Sequence, residues 1–321
     1  MPQPTPSDVH VNAPLTSISI AFLQSQEGFV SRKAFPTLPV KKQSDRYYLY
    51  DKKQWFRSDA RERAPGTESA GSGFTVDNTP NYFCSVKAVH KDVDDQLRAN
   101  ADAVINPDRD ATEFVTRDLA LEAELDWAAT YFTTGIWTGS TTGADITVSP
   151  KWDAASSTPI TDMRQQIRSV QRKTGFKANS AVVPPDVWDV LQDHSDFLDR
   201  IKYTQKGIVT TELLAMVLGL KQVLVAEAIA DAADEGVAEN LGFIFSTSVL
   251  LMYAAPSPSV LHPSAGYTFA WTGMFGSNAA GMRVSRFRME HLKSDRVEGE
   301  CSYDHKLVAA ECGAFLLNVL T

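Results

Sequence analysis

A chain of 321 residues, 43% hydrophobic and 22% charged, is long enough for one large or two modest cores, and neither figure suggests disorder along the whole length. The formal net charge of −8 argues against sequence-independent binding of nucleic acid through a basic surface, and no apolar run approaches the roughly 20 residues that a membrane helix needs. The N-terminus lacks the basic-then-apolar pattern of a signal peptide, and the scattered Cys84, Cys301 and Cys312 read as reduced thiols of a cytoplasm rather than a disulfide framework.

Residues 1–40 carry Pro2, Pro4, Pro6, Pro14, Pro36 and Pro39 among short apolar patches. Such a segment is expected to be either a disordered tail or an arm ordered against a neighbouring chain. Asp45 to Arg57 is dense in aromatic residues and predicts a strand, as does Phe74 to Val89. Between them Ser58 to Gly73 is charged and then rich in Gly and Ser, so the whole predicts a long hairpin over 41–83 with a charged tip. A two-stranded hairpin is marginal alone in water and needs something to lie on.

A long helix is predicted over 110–132, with Asp110 at the N-cap, Glu113 three residues on and Gly135 as the stop. Its apolar stripe is read as Phe114, Leu121, Leu125, Ala128 and Phe132. After a Gly/Ser/Thr-rich stretch with a short strand near Ile146 to Val148, helices and strands alternate from Pro159. Thr161 is the expected cap of a helix bearing Met163, Ile167 and Val170, ended by Gly175. Strands are expected at 179–183, 222–226 and 243–253, and helices start at Pro185 and at Thr210, the latter closed by Gly219. The last third is strand-like.

Chemistry is not evident. The histidines at 10, 90, 194, 262, 291 and 305 have no His or Cys partner at metal-ligand spacing. The Gly66–Gly73 stretch lacks the Lys-Ser/Thr of a phosphate loop and carries the acidic Glu68. There is no nucleophile elbow, and no Cys stands in the context of a nucleophile. Asp92, Asp94 and Asp95 are expected to open a helix; Glu298, Glu300 and Asp304 read as solvated strand edges or a subunit contact. Arg283, Arg286 and Arg288 read as ion-pairing residues. No catalytic, cofactor-binding or metal-ligating residue is assigned, and no cofactor.

Three stretches carry a resemblance. The first runs from Trp55-Phe56-Arg57 through 63–68 (Arg-Ala-Pro-Gly-Thr-Glu) to 91–101. The second runs from Lys173-Thr174-Gly175 through 185–188 (Pro-Asp-Val-Trp) to 199–203, and the third joins 263–271 to 286–291 and 294–300. In this order and spacing the chain resembles the major capsid proteins of tailed phages. The resemblance implies an α+β protein of the Hong Kong 97-type capsid fold: an N-terminal arm (1–40), an extended β-hairpin loop (41–83), a peripheral domain (84–158) with the spine helix 110–132, an axial α/β domain (159–281), and C-terminal strands (282–321) returning to the peripheral domain. It implies a structural subunit of hexamers and pentamers that form an icosahedral head around double-stranded DNA held by enclosure. It also implies a place in the virion after assembly in the host cytoplasm, and no membrane partner. Because the arm begins close to Met1, a separate scaffolding protein is expected, with decoration and portal proteins as further candidate partners. The hairpin tip, with Arg57, Asp59, Arg61, Glu62, Arg63 and Glu68, is the expected intersubunit contact, and Phe114, Leu121, Leu125 and Phe132 the expected spine-helix core. Two other readings remain: an encapsulin-like nanocompartment shell enclosing enzyme cargo, and an α/β enzyme using the scattered carboxylates.

Overall fold

The computed structural model describes residues 28–101, 105–201, 209–233, 236–257, 263–275 and 281–321; residues 1–27 of the expected arm lie outside them. Two five-stranded sheets share one long helix. In the first sheet the strand Ser294–Leu307 pairs antiparallel with Ser85–Asp94, with Met282–Met289 and with Gly266–Trp271, and the short strand Thr37–Val40 adds in parallel to Gly266–Trp271. The second sheet runs in the order Ile146–Thr147, Gly313–Leu317, Val249–Met252, Ser180–Val183, Gln222–Val225.

The second sheet is buried on both faces, which explains its uninterrupted apolar strands. On one face Ala181, Val183, Val249, Leu251, Ala314 and Leu316 meet Met163, Ile167 and Val170 of the helix Pro159–Thr174 and Leu214 and Leu218 of the helix Thr211–Leu218. On the other, Val182, Leu250, Met252 and Phe315 meet Trp127 and Phe132 at the end of the long helix. Phe132 stands edge-on to Phe315 and to Phe245 at 5.1 and 5.0 Å between ring centroids.

The sheet memberships depart from the expected domain limits. Ile146–Thr147 already belongs to the second sheet, Gly266–Trp271 to the first, and the C-terminal Gly313–Leu317 leaves the strands at 282–307 to pair with Val249–Met252. Glu298, Glu300 and Asp304 lie on the central strand of the first sheet, not at an edge. The apolar stretch 243–253 splits into Leu241–Phe243 and Val249–Met252, and Thr158, not Thr161, precedes its helix with Pro159 in the first turn.

The long helix spans Pro107–Tyr131, a full turn ahead of the expected Asp110 start. Asn106 caps it by accepting from the Arg109 amide at 3.2 Å, and Pro107 opens it, a stronger start than Asp110 provides. Its buried face is Ala111, Val115, Leu119, Ala123 and Trp127, a strict four-residue progression. The strand beneath approaches closely because a Cβ at Gly299 would collide with Val115 and Leu119. The expected core stripe is therefore corrected: Phe114 is 45% and Leu125 36% exposed, and Leu121 is only half-buried, while Phe132 is buried at 6%. Both faces of the helix carry large apolar residues, so periodicity alone does not set its phase.

The second correction concerns residues 28–40, which belong to the core rather than to a free arm. Glu124 of the long helix is fully buried, and its carboxylate accepts from the amides of Val30 at 2.8 Å and Ser31 at 2.9 Å, where the short helix Ser31–Ala34 begins. Burial raises the carboxyl above its ordinary range; the two amides and the charge of Lys33 oppose this. The turn delivers Phe35, with no exposed surface, among Trp127, Tyr131 and Trp137 at 4.9 to 6.4 Å between centroids. Thr268 donates to the Phe35 carbonyl at 3.2 Å and pairs with His305 Nδ1 at 2.9 Å, which binds this turn to both neighbouring strands of the first sheet. Phe35→Ala is therefore expected to lower the unfolding free energy by about 3–5 kcal/mol. Chemical denaturation checks this, and an unchanged midpoint would mean that residues 28–40 hang free.

Candidate assembly surface

The hairpin is built in two short ladders. Ser44–Arg46 pairs with Asn81–Phe83, and Leu49–Tyr50 with Val76–Asp77. Between them the chain forms the one-turn helix Lys52–Trp55, capped by Asp51, instead of continuing the strand expected to Arg57. The other expected strand is also divided: Ser85–Asp94 leaves the hairpin and joins the first sheet. Tyr50, Trp55 and Phe74 pack at 5.6 to 6.1 Å between centroids and make the neck.

Beyond the neck, from Arg57 to Phe74, every residue except Asp59 is exposed. Arg57 pairs with Asp59 at 2.8 Å, Ser72 donates to Asp59 at 3.0 Å, and Arg63 donates to the Thr67 carbonyl at 2.5 Å across the Gly66 turn. Arg61, Glu62 and Glu68 project without an ion pair among the described residues. The structure thus gathers the six tip residues on one exposed segment.

A second surface escaped sequence reasoning because its residues had been assigned to the core. The outer face of the long helix carries Phe114, Leu121 and Leu125 beside the strand Ser85–Asp94. Lys91 lies 5.8 Å from the centre of the Phe114 ring. A groove of about 410 Å³ runs between helix and strand, lined among others by Val89, Asp118, Leu121, Glu122 and Leu125. Lys87 crosses it to Glu122 at 2.8 Å and Asp126 at 3.1 Å. Desolvation and then the charge of Glu122 raise the Asp118 carboxyl. The face is apolar at its centre, and its rim carries the carboxylates Asp118, Glu122 and Asp126 together with Lys87 and Lys91.

Most of the other charged residues singled out in the sequence are fastened within the subunit. Asp94 caps the helix Asp95–Asn100 through the Gln96 amide. Arg288 holds Asp95 bidentately at 2.6 Å, Arg98 holds Asp108 at 2.8 Å and Asp295 at 2.9 Å, and Arg286 pairs with Asp295. Arg283 pairs with Glu300, and Arg296 with Asp92 at 2.7 Å. The guanidinium partners hold Asp92, Asp95 and Asp295 below the usual carboxylate range: Arg296 for the first, Arg288 for the second, Arg286 for the third.

One arrangement outwardly suits catalysis. Ser157 Oγ lies 2.9 Å from His194 Nε2. His194 Nδ1, however, accepts from the Asp196 amide, so Nε2 carries the hydrogen and donates to Ser157, which itself donates to the Ala154 carbonyl. The imidazole has no free base to offer the hydroxyl, and the pair serves to cap the following helix. Burial pushes the thiols of Cys84 and Cys312 up to about 12 and of Cys301 to about 11, away from nucleophilic use. Among the described residues no cluster of three His, Cys, Asp or Glu side chains is placed to hold a metal, and no helix is long and apolar enough to cross a membrane.

The architecture is the Hong Kong 97-like fold of phage capsids. It matches the mature capsid of bacteriophage PhiM1 with a TM-score of 0.60 over 98% of both chains at 13% identity, and a phage-related protein of Bordetella bronchiseptica RB50 with 0.68 over 92% and 93% at 21% identity. It also matches, at 0.54 over 96% of both chains and 10% identity, the SrpI encapsulin of Synechococcus elongatus PCC 7942. No family model matches the sequence. Relatives are found nonetheless: the major capsid protein of Burkholderia phage BcepMu is 23% identical over 96% of both chains, and that of Pseudomonas phage JBD67 22% identical over 84% and 85%. The chain is thus a homologue of phage major capsid proteins, with a structural capsid role and not an enzymatic one.

The helix phase sets opposite outcomes for two substitutions. Leu125→Asp leaves the protein soluble and its stability within about 0.5 kcal/mol, as for other surface changes. Leu119→Asp buries an unpaired carboxylate and gives insoluble protein. Solubility and melting curves check the pair; the opposite ranking would restore the Leu125 face to the core.

Proposed function

We propose that this chain is the major capsid protomer of a tailed phage, assembling in the host cytoplasm as hexamers and pentamers of an icosahedral head around double-stranded DNA. A separate scaffolding protein directs assembly, and portal and decoration proteins are further partners. The observation that carries the reading is a hairpin tip, Arg57 to Phe74, that has no core of its own and stands exposed on a chain homologous to shell proteins. Its partner in this reading is the apolar-centred, carboxylate-bearing outer face of the long helix in an adjacent subunit. Arginine suits such a contact because its planar fork holds a carboxylate bidentately. The net charge of −8 fits a container that encloses DNA without trapping it. An encapsulin-like shell shares the fold, and its discriminating property is protein cargo; the relatives by sequence are phage proteins, which favours DNA.

Exposed ion pairs are worth only about 0.2–1 kcal/mol each, yet a shell repeats every contact, so small losses accumulate. Arg61→Glu combined with Arg63→Glu should leave the subunit's melting temperature nearly unchanged and block or misdirect shell formation. Raising the salt should weaken wild-type assembly in the same direction. Normal shells from the double variant, seen by electron microscopy at matched concentration, would return the tip to the role of a solvated loop.

A further inference from the structure

The hairpin neck turns back onto its own subunit. Lys52, in the neck helix, pairs with the carboxylate of Glu311 and lies 3.4 Å from the carbonyl of Lys173. Phe56 rests on Gly175, where an added Cβ would come within 2.9 Å of the ring. Gly175 ends the helix Pro159–Thr174 in the left-handed region, with φ of +79°. Behind these contacts the neck does not pack. A groove of about 800 Å³ lies between Leu49 and Trp55 of the hairpin and Phe176 and Val308 of the body, and only at its root does Tyr47 pack on Phe269, at 5.7 Å between ring centroids. An open, aromatic-walled groove of this size means that the neck rests on the body at a few points rather than through a close-packed interface. The rim is weak as well, since Lys52 is 48% and Glu311 38% exposed. The neck holds its own shape through the Tyr50, Trp55 and Phe74 cluster and the Asp51 cap, so it can leave the seat as a unit.

We propose that Lys52, Glu311, Phe56 and Gly175 form a clasp that keeps the hairpin on its own subunit before assembly, and that the tip engages a neighbour only after Lys52 leaves Glu311. The proposal rests on the hairpin tip being an intersubunit contact, and it adds that this contact is gated within the free subunit. The seat is made of the C-terminal end of one helix and the turn at Ala310–Cys312, so the clasp ties the hairpin to the second sheet's layer rather than to the first sheet at its root.

The clasp is tested by closing it covalently. Lys52→Cys with Glu311→Cys, joined by a bis-maleimide whose spacer contains a cleavable disulfide, locks the neck; the native thiols are fully buried and do not compete. The locked subunit is expected to keep its melting temperature and to form no shells, and reductive cleavage of the spacer to restore assembly to the level of the unlinked double variant. Locked subunits that assemble as fast as cleaved ones overturn the clasp while leaving the tip contact standing. Failure of the wild type to assemble under any condition overturns the tip contact and the clasp together. Should the cysteine variant not fold, charge reversal decides: Lys52→Glu shortens the assembly lag about two- to fivefold, and Lys52→Glu with Glu311→Lys restores it. An unchanged lag in the single variant overturns the clasp.

Discussion

A single buried carboxylate organises the start of the described chain. Glu124 has no access to water, and a charge or hydroxyl in that position is tolerated only if its hydrogen bonds are met. The amides of Val30 and Ser31 meet them, and they belong to a helix too short to stand alone. Their position aims Phe35 into its cage of Trp127, Tyr131 and Trp137, and that in turn lays Thr37–Val40 alongside Gly266–Trp271. The hairpin starts immediately beyond, at Ser44. The direction in which the hairpin leaves the body is thus set by contacts with the long helix some ninety residues away, at a sequence separation of 94 for the Val30 bond.

The long helix divides the labour. Its inner face and its end are spent on the two sheets, through Val115, Leu119 and Ala123 toward the first and Trp127 and Phe132 toward the second. Its outer face keeps Phe114, Leu121 and Leu125 against water. Large apolar side chains left outside a well-closed core mark an interaction surface, and in the proposed assembly the hairpin tip of a neighbour would meet it.

How much of this was legible depended on the range of the interaction. Local chemistry read correctly at several ends: Thr210 caps its helix, Pro185 opens one, Gly175 and Gly219 close theirs in the left-handed region, and Asp94 and Asp95 open a helix, although Asp92 stays on the strand before it and the caps expected at Asp110 and Thr161 fall to Asn106 and Thr158. Arg283, Arg286 and Arg288 are ion-paired, since an acidic chain offers carboxylates wherever a strand places a guanidinium. The helix phase was not legible, because Phe114, Leu121 and Leu125 outweigh Ala111, Val115 and Ala123 in hydrophobicity, and only the distant Gly299 makes room for Val115 and Leu119 on the inner face. Residues 28–40 have no periodicity of their own, and only the distant Glu124 and the three rings make them part of the core. Nor does an apolar run such as Gly313–Leu317 announce which of two sheets will take it.

The most direct measurement is sedimentation of the purified wild-type chain over a range of concentrations, with electron microscopy of the fast-sedimenting fraction and its scaffolding partner supplied where needed. Closed shells of uniform diameter, built from rings of six and five, are the predicted result. A single species at the 35.2 kDa of one chain, at every concentration and with the partner present, would contradict the account.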